Sequence, residues 1–273
     1  MSNEFNEIVT LNYLPMWYIT NIHIKDGYRK PNTNIIFLDT LLSIHNDTLN
    51  IWINLIGVIL FLLSFIVLYF DSLNKLNKSM LILYSLTCVL CFASRLNYYV
   101  YSPNNETTYY NLIKQYYINN LFLAFVSMSL IIYCMFYEEH YNGIKYSFII
   151  VLFIILTLIC PLFNDNNFYS LHKRKYRSTV FTLYTLYIFI PTLHYGIVNS
   201  FITFHYIFFL IIISIILLLY YIGLFIHNNY YPEKICNIIN IGNSDNICNL
   251  LVHTGCIILY LSMRYILYYL EKT

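Results

Sequence analysis

Seven runs of apolar residues, each about twenty long, recur along this 273-residue chain with short polar connections between them. They are Ile51–Phe70, Met80–Tyr101, Ile118–Tyr137, Tyr146–Phe163, Ser178–Ile197, Ile207–Ile226 and Ile247–Leu270. A helix needs roughly 20 residues to cross a hydrocarbon core of about 30 Å. Five of the seven runs hold no Asp, Glu, Lys or Arg. The second and seventh carry one arginine each, Arg95 and Arg264, and the third opens with Asn119 and Asn120. The pattern predicts an all-α protein, a seven-transmembrane-helix bundle over residues 51–270. Residues 1–50 form an N-terminal segment and residues 271–273 a short tail. Within the segment, Ile35–Ile44 is mostly apolar, and Asp39, Ser43, Asp47 and Asn50 recur along it and beyond it at spacings of four and three. Such a stripe predicts a short helix lying in the membrane interface. Asn46, Asp47 and Thr48 are candidate caps for the crossing helix that follows.

Composition agrees with a bilayer environment. Charged residues make up 10% of the chain, against about 25% in soluble domains. No basic run of the kind that binds a phosphate backbone is present, so a nucleic-acid partner is excluded. The partners expected are the lipid bilayer and a lipid or small hydrophobic ligand. Tyr69, Tyr98, Tyr99, Tyr137 and Tyr195 fall near span ends, where an apolar ring and a wet hydroxyl are both satisfied. Six of the seven cysteines lie within spans and only Cys236 in a loop, so no disulfide framework is expected. Cys88 and Cys91 have C-x2-C spacing, but in an apolar helix they read as small fillers. The polar, mixed-charge start of the chain does not resemble a signal peptide, and the first span is expected to act as an uncleaved anchor.

Lys and Arg beside the spans predict orientation. The N-terminal segment and loops 102–117, 164–177 and 227–246 together carry nine, and the opposite loops and tail carry four. The densest cluster is Lys173-Arg174-Lys175-Tyr176-Arg177. The N-terminus is therefore expected in the cytosol and the C-terminus outside or in a lumen, the reverse of an ordinary G-protein-coupled receptor. Sequons occur at Asn46, Asn77 and Asn105, and under this topology only Asn77 is non-cytosolic, in a tight loop.

The segment Ser43-Ile44-His45-Asn46-Asp47-Thr48-Leu49-Asn50-Ile51-Trp52 resembles the H-N-E-T-x-N-I-W signature of the progestin and adipoQ receptor family, which includes the haemolysin III proteins. Asp47 stands where that family usually has Glu, and Leu49 where it often has Gly. Leu14-Pro15-Met16-Trp17 and Gly27-Tyr28-Arg29 are similar to its L-P-x-W and G-[HY]-R elements. Tyr176-Arg177, Phe181 and Pro191-Thr192-Leu193-His194 resemble its fifth helix. Tyr220–Gly223, followed by Pro232-Glu233-Lys234, is similar to the end of its sixth helix and its P-E-[KR] loop. The resemblance runs in order through nearly the whole chain.

It implies a zinc site at the cytosolic membrane boundary. That site is built from S-x3-H ending helix two, an Asp starting helix three and H-x3-H starting helix seven. Here the matching positions read Ser94 and Tyr98, then Asn249 and His253, so one imidazole is a phenol and another an amide. For the aspartate the chain offers Tyr116, Tyr117, Asn119 or Asn120, with the register open. One imidazole with amide and phenol oxygens is a poor offer to zinc. The expectation is a degenerate, metal-free polar centre with no cofactor. Zinc in the family position, or in a set rebuilt with Cys91, Cys248 and Cys256, is the alternative. Arg95 and Arg264 read as long side chains reaching the headgroups, and His194 near Pro191 as part of a structural kink. The function expected is a membrane receptor or lipid sensor of this family type. The alternatives are a zinc-dependent lipid amidohydrolase of ceramidase-like type and a transporter or pore, for which no inverted repeat or charge-lined span speaks.

Overall fold

The computed structural model describes residues 8–32, 37–201, 203–236 and 242–272. Seven segments are long and apolar enough to cross a membrane. They are α2 (Thr48–Tyr69), α3 (Lys75–Tyr101), α4 (Glu106–Met135), α5 (Asn142–Ile159) with its 3-10 flanks, the pair α6 (Arg174–Leu186) and α7 (Phe189–Asn199), α8 (Phe204–Asn229) and α9 (Ser244–Leu270). The short helix α1 (Phe37–Leu42) precedes them and leaves Leu38 and Leu42 exposed, as a helix lying against lipid would. Residues 35 and 36 of the expected interfacial helix lie outside the described residues.

Side-chain caps set several helix starts. Asn74 accepts from the Asn77 amide and Asn105 from the Thr108 amide, both at 2.8 Å. Asn243 and Asn246 form a reciprocal capping box at the start of α9. Each cap satisfies an amide that the helix itself leaves unpaired. The Asn105 cap starts α4 at Glu106, twelve residues before the apolar run begins at Ile118. The first three turns of α4 are polar and tyrosine-rich, so hydropathy alone misses them. The fifth span is broken between Leu186 and Phe189. Pro191 has no N–H to give the Tyr187 carbonyl; the Ile190 amide takes it at 3.0 Å, and Thr192 Oγ1 bonds the Ile188 carbonyl at 2.7 Å.

Helices α3, α4 and α9 form the centre, where Leu81, Tyr84, Cys88, Phe92, Leu121 and Met263 are fully enclosed. Helices α5 and α8 turn rows of Ile, Leu and Phe outward, the face a lipid-bathed helix requires.

Residues 8–32 are part of the bundle rather than an appendage. Strand β1 (Ile8–Val9) pairs antiparallel with β2 (Tyr28–Arg29), a ladder the apolar pattern does not announce. Leu14, Tyr18, Ile24 and Tyr28 are buried. The family-like motifs are what hold this segment in place. Arg29 donates to the carbonyls of Tyr99 and Val100 at the end of α3 and pairs with Asp47 at 3.0 Å. Asp47 occupies the N-cap position of α2 without capping it, because its carboxylate is turned to Arg29. Glu233 accepts from Asn21 Nδ2 and from the amide and hydroxyl of Ser244, joining the segment to the start of α9.

Candidate functional site

The ends of α2, α3, α4 and α9 that meet beneath residues 8–32 bring an unusual set of side chains together inside the bundle. At its centre is Arg95, which is 5% exposed. Its Nε and Nη2 donate to Asn120 Oδ1 on α4, and Nη1 donates to Asn249 Oδ1 on α9 at 3.2 Å. Asn249 in turn donates to Asn50 Oδ1 on α2 at 2.7 Å and to the Tyr99 hydroxyl at 2.9 Å. The guanidinium carbon lies 5.3 Å from the Tyr116 ring centre and 5.9 Å from that of Phe92, within cation–π range. Arg95 therefore does not run out to the headgroups, as its position near a span end suggests. It turns inward because polar residues on two other helices offer acceptors there. Arg264 does not snorkel freely either, since its Nε pairs with Asp71 at 2.6 Å at the opposite end of the bundle.

This centre forms part of the wall of a cavity of about 270 Å³, near the lower bound of roughly 300 Å³ for small-molecule sites. Tyr18, Ile19 and Thr20 of the N-terminal segment also line it. Deeper in, the lining is apolar, with Leu123 and Ile131 on α4, Ile213 and Leu217 on α8, and Leu259 on α9. Two more arginines reach the cavity. Arg174 pairs with Asp245 at 3.0 Å and lies 4.1 Å over the Tyr230 ring, while His227 Nε2 is 3.1 Å from the same carboxylate. Arg177 is held by the Tyr117 hydroxyl and the Phe168 and Ser170 carbonyls. At the edge of the site, burial pushes the Asp47 carboxyl up despite the charge of Arg29.

Of the positions singled out for the polar centre in the sequence, Arg95, Tyr98, Asn120 and Asn249 line the cavity, as do Tyr116, Tyr117, Cys248 and Cys256. Tyr98 stacks on Tyr116 at 5.6 Å. Ser94 does not join the network; its hydroxyl bonds the Cys91 carbonyl one turn back. Asn119 is half-buried and is not part of the cavity wall. His253 also lies outside that wall, stacked on Phe92 at 3.8 Å with Nδ1 bonded to the Asn249 carbonyl at 2.7 Å. It sits so close to Gly57 on α2 that a Cβ there would fall 2.7 Å from the imidazole. His194 is remote, among Phe136 and Phe148 toward the far end of α4 and α7. Asn50, Tyr99, Arg174, Arg177 and Asp245 are site residues that the sequence reading did not single out for this role. One signal was there: Asp245, Asn249 and His253 repeat every four residues, which places them along one side of a helix.

The donor set does not suit zinc. His253 Nε2 is buried without a partner, as a ligand atom would be, but it is a lone imidazole. No group of three His, Cys, Asp or Glu side chains is placed to hold a metal among the described residues. Amide oxygens that would face a metal are instead engaged by a guanidinium, whose positive charge opposes a second cation nearby.

The fold is that of a multi-pass, seven-helix integral membrane protein with a polar centre at one end of the bundle. Residues 42–267 match the family described as haemolysin-III related, and the chain belongs to that family. No curated protein shows significant similarity to the chain.

Proposed function

We propose that the protein is a lipid-sensing membrane receptor whose ligand is an amphiphile lying in the bundle cavity. The observation that carries this reading is the cavity itself, apolar along α4, α8 and α9 and polar where Arg95, Asn120 and Asn249 meet. Amphiphiles are recognised by such a division, with burial of the tail supplying affinity and a few fixed polar groups supplying orientation. The N-terminal segment supplies part of the wall through Tyr18, Ile19 and Thr20. Occupancy is thus felt by residues 8–32, which the charge bias of the loops assigns to the cytosol. In this reading the centre is metal-free, and hydrolysis of a lipid amide has no metal-bound water to draw on.

Hydrogen exchange on the full chain in neutral nanodiscs tests the proposal. Single-chain amphiphiles should slow exchange in residues 8–32, and Ala124→Trp, which fills the cavity, should abolish the effect. Unchanged exchange with every amphiphile tried would sink the reading. Metal analysis of the purified protein should give well under one zinc per chain. Stoichiometric zinc would move the amidohydrolase to first place.

A further inference from the structure

We propose that the ligand carries an anionic headgroup on a single apolar chain, and that the Arg95 guanidinium holds that charge. This rests on the cavity being a ligand site, as argued above. An arginine at membrane depth is costly unless its charge is met. Among the described residues no carboxylate pairs with Arg95; its acceptors are the amide oxygens of Asn120 and Asn249. A guanidinium has five N–H groups, and these bonds use three of them.

Charge matching around the cavity points the same way. Asp245 is satisfied by Arg174, and Asp47 by Arg29. Arg95 and Arg177 are left with neutral acceptors only. The cavity wall therefore keeps positive charge that the protein itself does not neutralise. Residue 120 makes the point sharply. An aspartate there would close the charge within the protein, whereas the amide leaves it open to a ligand. A carboxylate or phosphate head would complete the guanidinium with charge-assisted hydrogen bonds, roughly twice as strong as neutral ones. A neutral amide or alcohol head could not.

The tail has a place as well. From Asn120 to Ile131 the α4 wall of the cavity runs about 16 Å at the helical rise. Leu123 and Met128 line it between those ends, with Leu217 and Leu259 contributed by α8 and α9. The head at Arg95 and the chain along this wall form one site.

The test compares heads on one tail. Laurate, dodecyl phosphate, lauramide and inorganic phosphate are titrated at neutral pH against the full chain in nanodiscs of zwitterionic lipid. At least one of the two acids should bind about tenfold or more tighter than lauramide, and the stronger of them identifies the head. Inorganic phosphate alone should bind far more weakly than either. Asn120→Asp supplies an internal counter-charge and should bring the acids down to the affinity of lauramide while lauramide itself still binds. Arg95→Met should do the same, and the wild-type comparison decides the matter if that variant fails to fold. Equal binding of acids and lauramide to the wild type would overturn the proposal yet leave the lipid-sensing reading standing. Inorganic phosphate binding as tightly as dodecyl phosphate would show a free-anion site and overturn it too. Failure of every long-chain compound to bind would overturn both.

Discussion

At His45, Nδ1 accepts from the Asp47 amide at 3.1 Å and Nε2 faces the Thr40 carbonyl at 3.2 Å, bracing the corner between α1 and α2. The first contact needs a bare Nδ1 and the second a proton on Nε2, so the imidazole is held neutral in one tautomer. Burial, reinforced by the charge of Arg29, pushes its pKa down to about 3. The unfolded chain takes up this proton near pH 6.5, while the folded chain resists until about 3. Between those values the unfolded state binds more protons, so lowering the pH removes stability. Thermal melts in detergent should show the melting temperature of the wild type falling faster from pH 6.5 to 4 than that of His45→Gln. Parallel slopes would show that His45 is charged or exposed in the fold. The same logic of partners governs Arg95, whose length would let it reach the headgroups. Acceptors on α4 and α9 decide its direction instead.

Between elements, the best-defined joint is made by Glu233 in the connection from α8 to α9. One carboxylate oxygen accepts from Asn21 Nδ2 at 2.8 Å and from Ser244 N and Oγ at 2.8 and 2.7 Å. The residue is 1% exposed, so water cannot replace these bonds in the folded state. Glu233→Ala strands a buried amide donor and opens the start of α9, at a cost of about 3 kcal/mol. The measured outcome should be a lower melting temperature with faster hydrogen exchange in residues 8–32 and at the start of α9. An unchanged melt would show that the joint carries no weight. Such joints also mark where the sequence stops being readable. The seven spans are legible because a long apolar run has few other uses. The start of α4 is not, because its first turns are held by a cap and by ring contacts of Tyr109 and Tyr116 with Trp17, Tyr18 and Tyr98 rather than by hydropathy. The Gly-Tyr-Arg and Pro-Glu-Lys motifs are visible by resemblance, yet part of their work lies in partners as far as 70 and 212 residues away. The polar centre is half legible: the family resemblance points to Asn249 and His253, but only the packing shows that Asn249 joins the cavity and His253 turns to Gly57 and Phe92.

Across the whole molecule, seven crossings put residues 8–32 and the end of α9 at opposite ends of the bundle. Arg29 bonds the end of α3, while Glu271 bonds the amide of Asn74 and the side chain of Asn77 at the start of that helix. The charge bias from which the orientation is expected is nine to four when every Lys and Arg outside the spans is counted. Some of these charges are built into the fold: Arg29, Arg174 and Arg177 on one side and Lys145 on the other are buried. Setting them aside leaves six to three, the same direction. The bias therefore does not arise from the arginines that build the cavity, and it is free to act during insertion. Native glycosylation is a poor reporter here. Asn77 is fully buried and its amide donates to Tyr137 and Glu271, so this sequon should stay unmodified on either side. Cys236 is a better one, being exposed in the connection between α8 and α9, on the side of residues 8–32. We expect a membrane-impermeant maleimide to label Cys236 only in vesicles that present their cytosolic face outward. Ser72→Cys, in the exposed turn between α2 and α3, should be labelled only in the opposite preparation. Labelling of both from one side would break the seven-span count. Exchange of the two results would leave the fold intact but place the arginine-lined cavity, and any signal read from residues 8–32, on the non-cytosolic face.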